Sequence, residues 1–193
     1  TVGGITSRVV VETEALIADP RPGLVLVTGH RRESFGDGFD RICEALAAIA
    51  ARGDTQIVYP VHLNPQVKIV VEAKLGTTGA IHLIPPVDYL QMVALMKACH
   101  LVLTDSGGIQ EEAPALGKPV LVMREVTERP EAVETGVASL VGTDVATITA
   151  EVAQLIDDPA HYASRARAVF PYGDGKAAAK IAASVAAFVK AAA

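Results

Sequence analysis

Leu101-Val102-Leu103-Thr104-Asp105-Ser106-Gly107-Gly108-Ile109-Gln110-Glu111-Glu112-Ala113 decides the fold of this chain. The run opens apolar and partly β-branched, stops at Asp105 and passes two glycines. It then spaces Ile109, Ala113 and Leu116 with the 3.6-residue period of a helix buried on one side. Strand, tight turn and helix follow one another without a linker. At the junction the first backbone N–H groups of the helix lack an intrahelical partner, and Gly107 and Gly108 put no Cβ in front of them. The helix dipole adds roughly half a positive charge there, so a phosphate is the natural guest. Glu112 falls about a turn and a half into the helix, where a carboxylate can accept hydrogen bonds from a diol. A diphosphate at Ser106, Gly107 and Gly108 with a ribose beside Glu112 describes a nucleoside diphosphate. The plainer reading, a turn and nothing more, loses ground once Glu112 is included.

Outward from this unit the pattern repeats. Leu24–Thr28, Gln56–Pro60, Ile81–Ile84, Val120–Met123 and Ala138–Val141 read as further strands. Helices are expected from about Phe39 to Ala51, after Asn64 with Pro65 at the first position, over Asp88–Ala98, Arg129–Glu134, Asp144–Ile156, about His161–Val169 and Lys176–Ala192. The strands are continuously apolar and their connections too long for hairpins. That predicts an α/β, doubly wound parallel sheet of Rossmann-like type with right-handed crossovers and helices on both faces. Residues 1–22 read as a connecting helix, over Ser7–Ile17, and a proline-ended linker; residues 23–193 read as one Rossmann-like domain with terminal helices.

The 193 residues are half apolar and carry a net charge of −5 without a dense Lys/Arg cluster, which argues against nucleic acid as a partner. Cys43 and Cys99 sit in or at the end of apolar helical segments and read as small reduced core side chains, as in a cytoplasmic protein. No apolar run approaches the roughly 20 residues of a membrane span, and the amino terminus lacks the regions of a signal peptide. No His/Cys/Asp/Glu cluster has metal-ligand spacing, and no cofactor is expected.

In a doubly wound sheet, ligands sit beyond the carboxyl ends of the strands, near the point where strand order reverses. The loops after strands one, two, four and five carry His30-Arg31-Arg32-Glu33, His62-Leu63-Asn64, Ser106-Gly107-Gly108 and Arg124 to Arg129. Each has a bland alternative. The His30 loop reads as solvated charge or as binding groups on a rigid scaffold. His30 as a cation holds a diphosphate, and as an acid it returns a proton. Arg129 either caps a short helix or takes a phosphate bidentately. His62 is open between the two readings, whereas His82, His100 and His161 read as structural. Pro171–Lys176 reads as a turn before the last helix rather than as a rim of the crevice.

Five motifs then stand in order: Thr28-Gly29-His30-Arg31-Arg32-Glu33, Pro60-Val61-His62-Leu63-Asn64-Pro65, Thr104 to Pro114, Gly117 to Arg124, and Thr127-Glu128-Arg129-Pro130-Glu131-Ala132. Together they closely resemble the carboxyl-terminal half of the non-hydrolysing UDP-N-acetylglucosamine 2-epimerases, from about Leu24 to Val189. The resemblance implies the carboxyl-terminal domain of a two-domain GT-B-type fold. It also implies an isomerase that interconverts UDP-GlcNAc and UDP-ManNAc by eliminating UDP to a 2-acetamidoglucal and adding it back, for cell-envelope polysaccharide synthesis. Ser106, Gly107 and Gly108 would hold the diphosphate, Glu112 the ribose, and His30 and Arg129 the charge on departing UDP. Arg31 and His62 match positions of a second, activating UDP-GlcNAc site. The carboxylates that move the C2 proton belong to an amino-terminal domain absent from this chain, so the chain is expected to be inactive alone; a homodimer is a further expected partner state. Ser34 replaces the family's usual Asn, and Met92 a frequent Phe. A non-catalytic UDP-sugar-binding module and a GT-B glycosyltransferase relative are the alternatives.

Overall fold

The computed structural model describes residues 23–191; the expected helix over Ser7–Ile17 and the linker lie outside them. Six strands form one sheet: β1 (Leu24–Thr28), β2 (Gln56–Pro60), β3 (Ile81–Ile84), β4 (Leu101–Thr104), β5 (Val120–Val122) and β6 (Ala138–Leu140). Their order is β3-β2-β1-β4-β5-β6 and every pairing is parallel. The order reverses between β1 and β4, which opens a crevice at their carboxyl ends. Thr28 and Thr104 are register partners there.

Alternation along each strand sends neighbouring side chains to opposite faces, and both faces are covered. Val25, Val27, Ile57, Tyr59, Leu101 and Leu103 pack with Phe39, Ile42, Leu46 and Ile49 of α1 (Asp37–Ala50), Val67 and Val71 of α2 (Pro65–Leu75), and Ile148, Val152 and Leu155 of α6 (Val145–Asp157). Leu24, Leu26, Val58, Val102, Val120 and Val122 pack on the other side with Leu95 and Met96 of α3 (Tyr89–Ala98), Ile109 and Ala113 of α4 (Gly107–Ala115), and Ala132 of α5 (Pro130–Glu134). Met92, partly buried, packs against this second core. Burying a side chain of this size contributes about 1.5–3 kcal/mol, so the sheet is a rigid platform for its loops.

Helix starts follow their caps. Asn64 accepts from the Gln66 N–H ahead of Pro65, and Asp88 and Gln91 form a reciprocal capping box at α3. The α7 helix (Pro159–Arg165) begins and ends earlier than the expected His161–Val169. Asp158 caps it through the Ala160 and His161 N–H groups, with Pro159 at the first position. Beyond Arg165 the chain leaves the helix so that the Val169 N–H can donate to the Pro114 carbonyl at the end of α4. The last helix, α8 (Ala177–Ala191), buries none of its residues among those described.

Cys43 and Cys99 are free and buried, and burial pushes their thiols up to about 11 and about 12. They pack as neutral, unreactive groups. His100 stacks on Tyr162 with ring centroids 3.9 Å apart and bonds the Leu155 carbonyl, a packing role. No helix among the described residues is long and apolar enough to cross a membrane.

Candidate nucleotide-binding site

The site is built at the strand-order reversal. The Thr28 and Thr104 hydroxyls are 2.5 Å apart and tie β1 to β4, and Thr104 Oγ1 also accepts from the Ser106 N–H at 2.9 Å. Ser106 is the N-cap of α4, yet its side chain makes no capping bond. Its hydroxyl and the first N–H groups of the helix are therefore left for another partner.

Gly107 and Gly108 do not have positive φ, so backbone conformation does not demand glycine at either place. Space explains them better. A Cβ on Gly107 would meet an Arg31 guanidinium nitrogen at 3.7 Å and one from Arg129 at 4.0 Å, and a Cβ on Gly108 only the Ser106 hydroxyl at 4.0 Å. Two guanidinium groups thus face the open end of a helix across a gap that a side chain would begin to fill. Cations, free N–H donors and helix dipole converge on one point, which is the chemistry of a phosphate seat.

Hydrogen bonds hold the rim. Buried Gln110 donates to the Ser106 carbonyl and accepts from Thr127 Oγ1 at 2.6 Å, and Thr127 Oγ1 in turn accepts from the Arg129 N–H. The Arg129 guanidinium donates to Glu111 and to the Glu128 carbonyl. On the other side the Gly29 carbonyl accepts from the buried Tyr59 hydroxyl at 2.7 Å. Burial pushes that phenol well above its ordinary range, with the nearby Asp105 adding to the effect. The Asp105 carboxylate is fully buried; its Oδ2 accepts from the backbone N–H groups of His30 and Arg31, each at 2.7 Å. The His30 and His62 rings are stacked at 5.1 Å, 12° from parallel.

Arg124, its side chain only 4 % exposed, joins two of these loops by pairing with Glu33 and Glu128, both at 2.5 Å. The guanidinium holds the Glu128 carboxyl down to about 2, against an ordinary value of 4.5. A cavity of about 350 Å³ lies beside the clamp, lined by Ser34, Arg41 and Thr143 among others.

The structure therefore brings together Ser106, Gly107, Gly108, Arg31 and Arg129, with His30 and His62 alongside. Arg129 faces Gly107 and is engaged by Glu111. Glu112 is partly buried on α4 and bonds no described residue. Arg31 reaches the glycine turn itself. Pro171–Lys176 is more than a turn, because the Tyr172 hydroxyl accepts from the Ala132 N–H and donates to the Arg129 carbonyl. Sequence reading missed the roles of Asp105, Gln110 and Arg124. A lone carboxylate ending an apolar strand was the signal for the first, and the i, i+4 spacing of Arg124 and Glu128 for the last.

Fold and site together define a doubly wound, Rossmann-like α/β domain with a cationic cleft at its strand-order reversal. A glycosyltransferase involved in lipopolysaccharide biosynthesis, WaaG, shares the fold at a TM-score of 0.61 with 17% identity, over 84% of this chain and 45% of that one. The family described as UDP-N-acetylglucosamine 2-epimerase matches residues 5–186, and the chain belongs to that family. It is 59% identical over 166 residues to a probable UDP-N-acetylglucosamine 2-epimerase of Ralstonia nicotianae, which covers 86% of this chain and 44% of the relative. The crystal structure of the Neisseria meningitidis UDP-GlcNAc 2-epimerase bound to UDP-GlcNAc superposes with a TM-score of 0.85 at 39% identity, over 93% of this chain and 49% of that one. The chain thus spans less than half the length of these relatives, and the match falls on their carboxyl-terminal part.

Proposed function

We propose that this chain is the UDP-holding part of an enzyme that interconverts UDP-GlcNAc and UDP-ManNAc. The observation that carries the reading is the pair of guanidinium groups facing the uncapped α4 terminus across Gly107. The Neisseria relative is described as bound to UDP-GlcNAc, and the same ligand chemistry suits this seat.

In the proposed reaction the C2–H bond breaks, C1 and C2 form a double bond, and the C1–O bond breaks with its electron pair leaving on UDP. Re-addition of UDP to C1 and of a proton to the other face of C2 completes the inversion. This chain serves the leaving group. Negative charge that builds on the β-phosphate meets Arg31, Arg129 and the α4 N–H groups, all in place before reaction, which is electrostatic stabilisation of the kind that usually contributes most. His30 borders the phosphates, and the unbonded Glu112 accepts from the ribose diol. The proton at C2 is handled by carboxylates outside the part of the family this chain matches. The chain alone therefore binds UDP and does not turn over UDP-GlcNAc.

Gly107→Ala tests the seat. The substitution meets only ordinary contacts in the free protein and removes glycine from a helix, so the thermal midpoint should hold or rise, by up to about 0.5–1 kcal/mol of stability. Calorimetry should show UDP affinity falling by at least about tenfold. Unchanged affinity in the folded variant would place the diphosphate elsewhere.

A further inference from the structure

The buried Asp105 carboxylate has two oxygens in different situations. Oδ2 is fully used, accepting two backbone N–H groups. Oδ1 is equally buried and has no hydrogen-bond partner, although the Nδ1 atom of His30 lies 3.4 Å away. Leaving a buried carboxylate oxygen unsatisfied is costly, and a small rotation of the partly exposed His30 ring would bring Nδ1 to the 2.7–2.9 Å or so of a charge-assisted bond. His62 stacks on one ring face, 12° from parallel, which restrains tilting of the ring out of its plane.

We propose that Asp105 is the positioning residue for His30: its Oδ1 accepts a hydrogen bond from Nδ1–H, so that Nε2 is the nitrogen presented to the diphosphate. The inference rests on the UDP reading above for the identity of the ligand, but not for the pairing itself. The loop packs Asp105 from β4, His62 from the β2–α2 connection and Arg31 from its own turn around His30. Among these only the Asp105 carboxylate can accept from Nδ1 of a ring held by its own backbone neighbours. With both ring nitrogens protonated, Nδ1–H bonds Asp105 and Nε2–H bonds a phosphate oxygen; with one proton, it stays on Nδ1. Asp105 thereby does for the imidazole what a buried carboxylate does in a hydrolytic triad, fixing tautomer and orientation without exchanging a proton itself. A carboxylate that merely anchored the backbone would leave the tautomer to solvent.

The test is nitrogen NMR on the full 193-residue chain labelled in its histidine rings, recorded with the rings neutral. The expected result is a neutral His30 carrying its proton on Nδ1; a proton on Nε2 overturns the proposal, and no variant is needed to see it. In Asp105→Asn the amide can keep accepting the two backbone N–H groups through its oxygen while its NH₂ faces Nδ1, so the proton should move to Nε2. The Nε2–H can still donate to a phosphate oxygen but without the imidazolium charge that Asp105 supports, so UDP affinity measured by calorimetry at pH 6.5 should fall by roughly fivefold, the difference between a charge-assisted and a neutral hydrogen bond. A variant that folds with an unmoved proton also overturns the assignment. If the native chain binds no UDP while the tautomer behaves as expected, the ligand reading fails and the pairing stands.

Discussion

Arg129 stands between two anionic claims, the Glu111 carboxylate and whatever occupies the Gly107 gap. Replacing it by alanine removes a charged donor from the gap and leaves Glu111 unpaired beside it. UDP binding should weaken by roughly 1.5–3 kcal/mol, the usual size of a charged hydrogen bond, as read by calorimetry. Affinity that survives Arg129→Ala would make the residue a structural tie of α4 to its neighbouring loop. Glu128 gives a prediction in pH. Its carboxyl is held at about 2 in the folded protein against 4.5 without its partner, chiefly by the hydrogen bond from Arg124. A depressed carboxyl contributes stability that is present above pH 4.5 and is lost as pH falls toward 2. Thermal midpoints of the native chain and of Glu128→Gln should therefore differ at pH 6 and converge by about pH 2. No difference at pH 6 would assign the clamp to Glu33 alone. Such pairings join side chains far apart in the chain, as Arg124 and Glu33 are, and residue order carries no trace of that.

Tyr59 shows what an element contributes to a loop it never touches in sequence. It lies on β2 at 1 % exposure, and its hydroxyl satisfies the Gly29 carbonyl just after β1. Tyr59→Phe strands that carbonyl in the core and should cost about 1–3 kcal/mol. The loss appears in the denaturant midpoint and, because His30 and Arg31 follow directly, as weaker UDP binding. Helix α8 is the opposite case. A helix of fifteen residues with no buried side chain depends on its own propensity, which in water is marginal at that length. Amides over 177–191 should exchange far faster than those of α1, whose Ile42, Leu46 and Ile49 are buried. Protection equal to that of α1 would mean that α8 is packed in solution.

Legibility follows the same division. Continuous apolar runs and cap residues revealed all six strands and the starts of α2, α3 and α6, because both signals are local. The α7 boundaries went astray because Asp158 and Pro159 were not read as a start, and because the exit after Arg165 is dictated by a distant carbonyl on α4. In the site, the glycine pair at a strand–helix junction was visible in the run from Thr104 to Glu112. The buttressing by Gln110, Thr127 and Asp105 was not, since each works through a contact that exists only after the sheet is assembled.

On the scale of the molecule, strand order decides where chemistry can occur. The reversal between β1 and β4 sets the His30 and Ser106 loops side by side, and β2 and β5 bring His62 and Arg124 to their flanks. Disturbing the sheet therefore disturbs every wall of the crevice at once. Leu103→Ala, in the middle of β4 and fully buried, should lower unfolding free energy by about 2–5 kcal/mol, and UDP should recover part of the lost thermal midpoint by binding only the folded form. No recovery at saturating UDP would show that the ligand does not discriminate between folded and unfolded chain.

The segment after Arg165 grips two of the elements that carry the crevice. Val169 holds the far end of α4, and the Tyr172 hydroxyl spans the backbone of Arg129 and Ala132. A chain cut short at 165 would keep Arg31, Arg129 and the glycine pair and forfeit the brace behind them. Shortening the protein from that end should thus blunt affinity from behind, with those groups still in place.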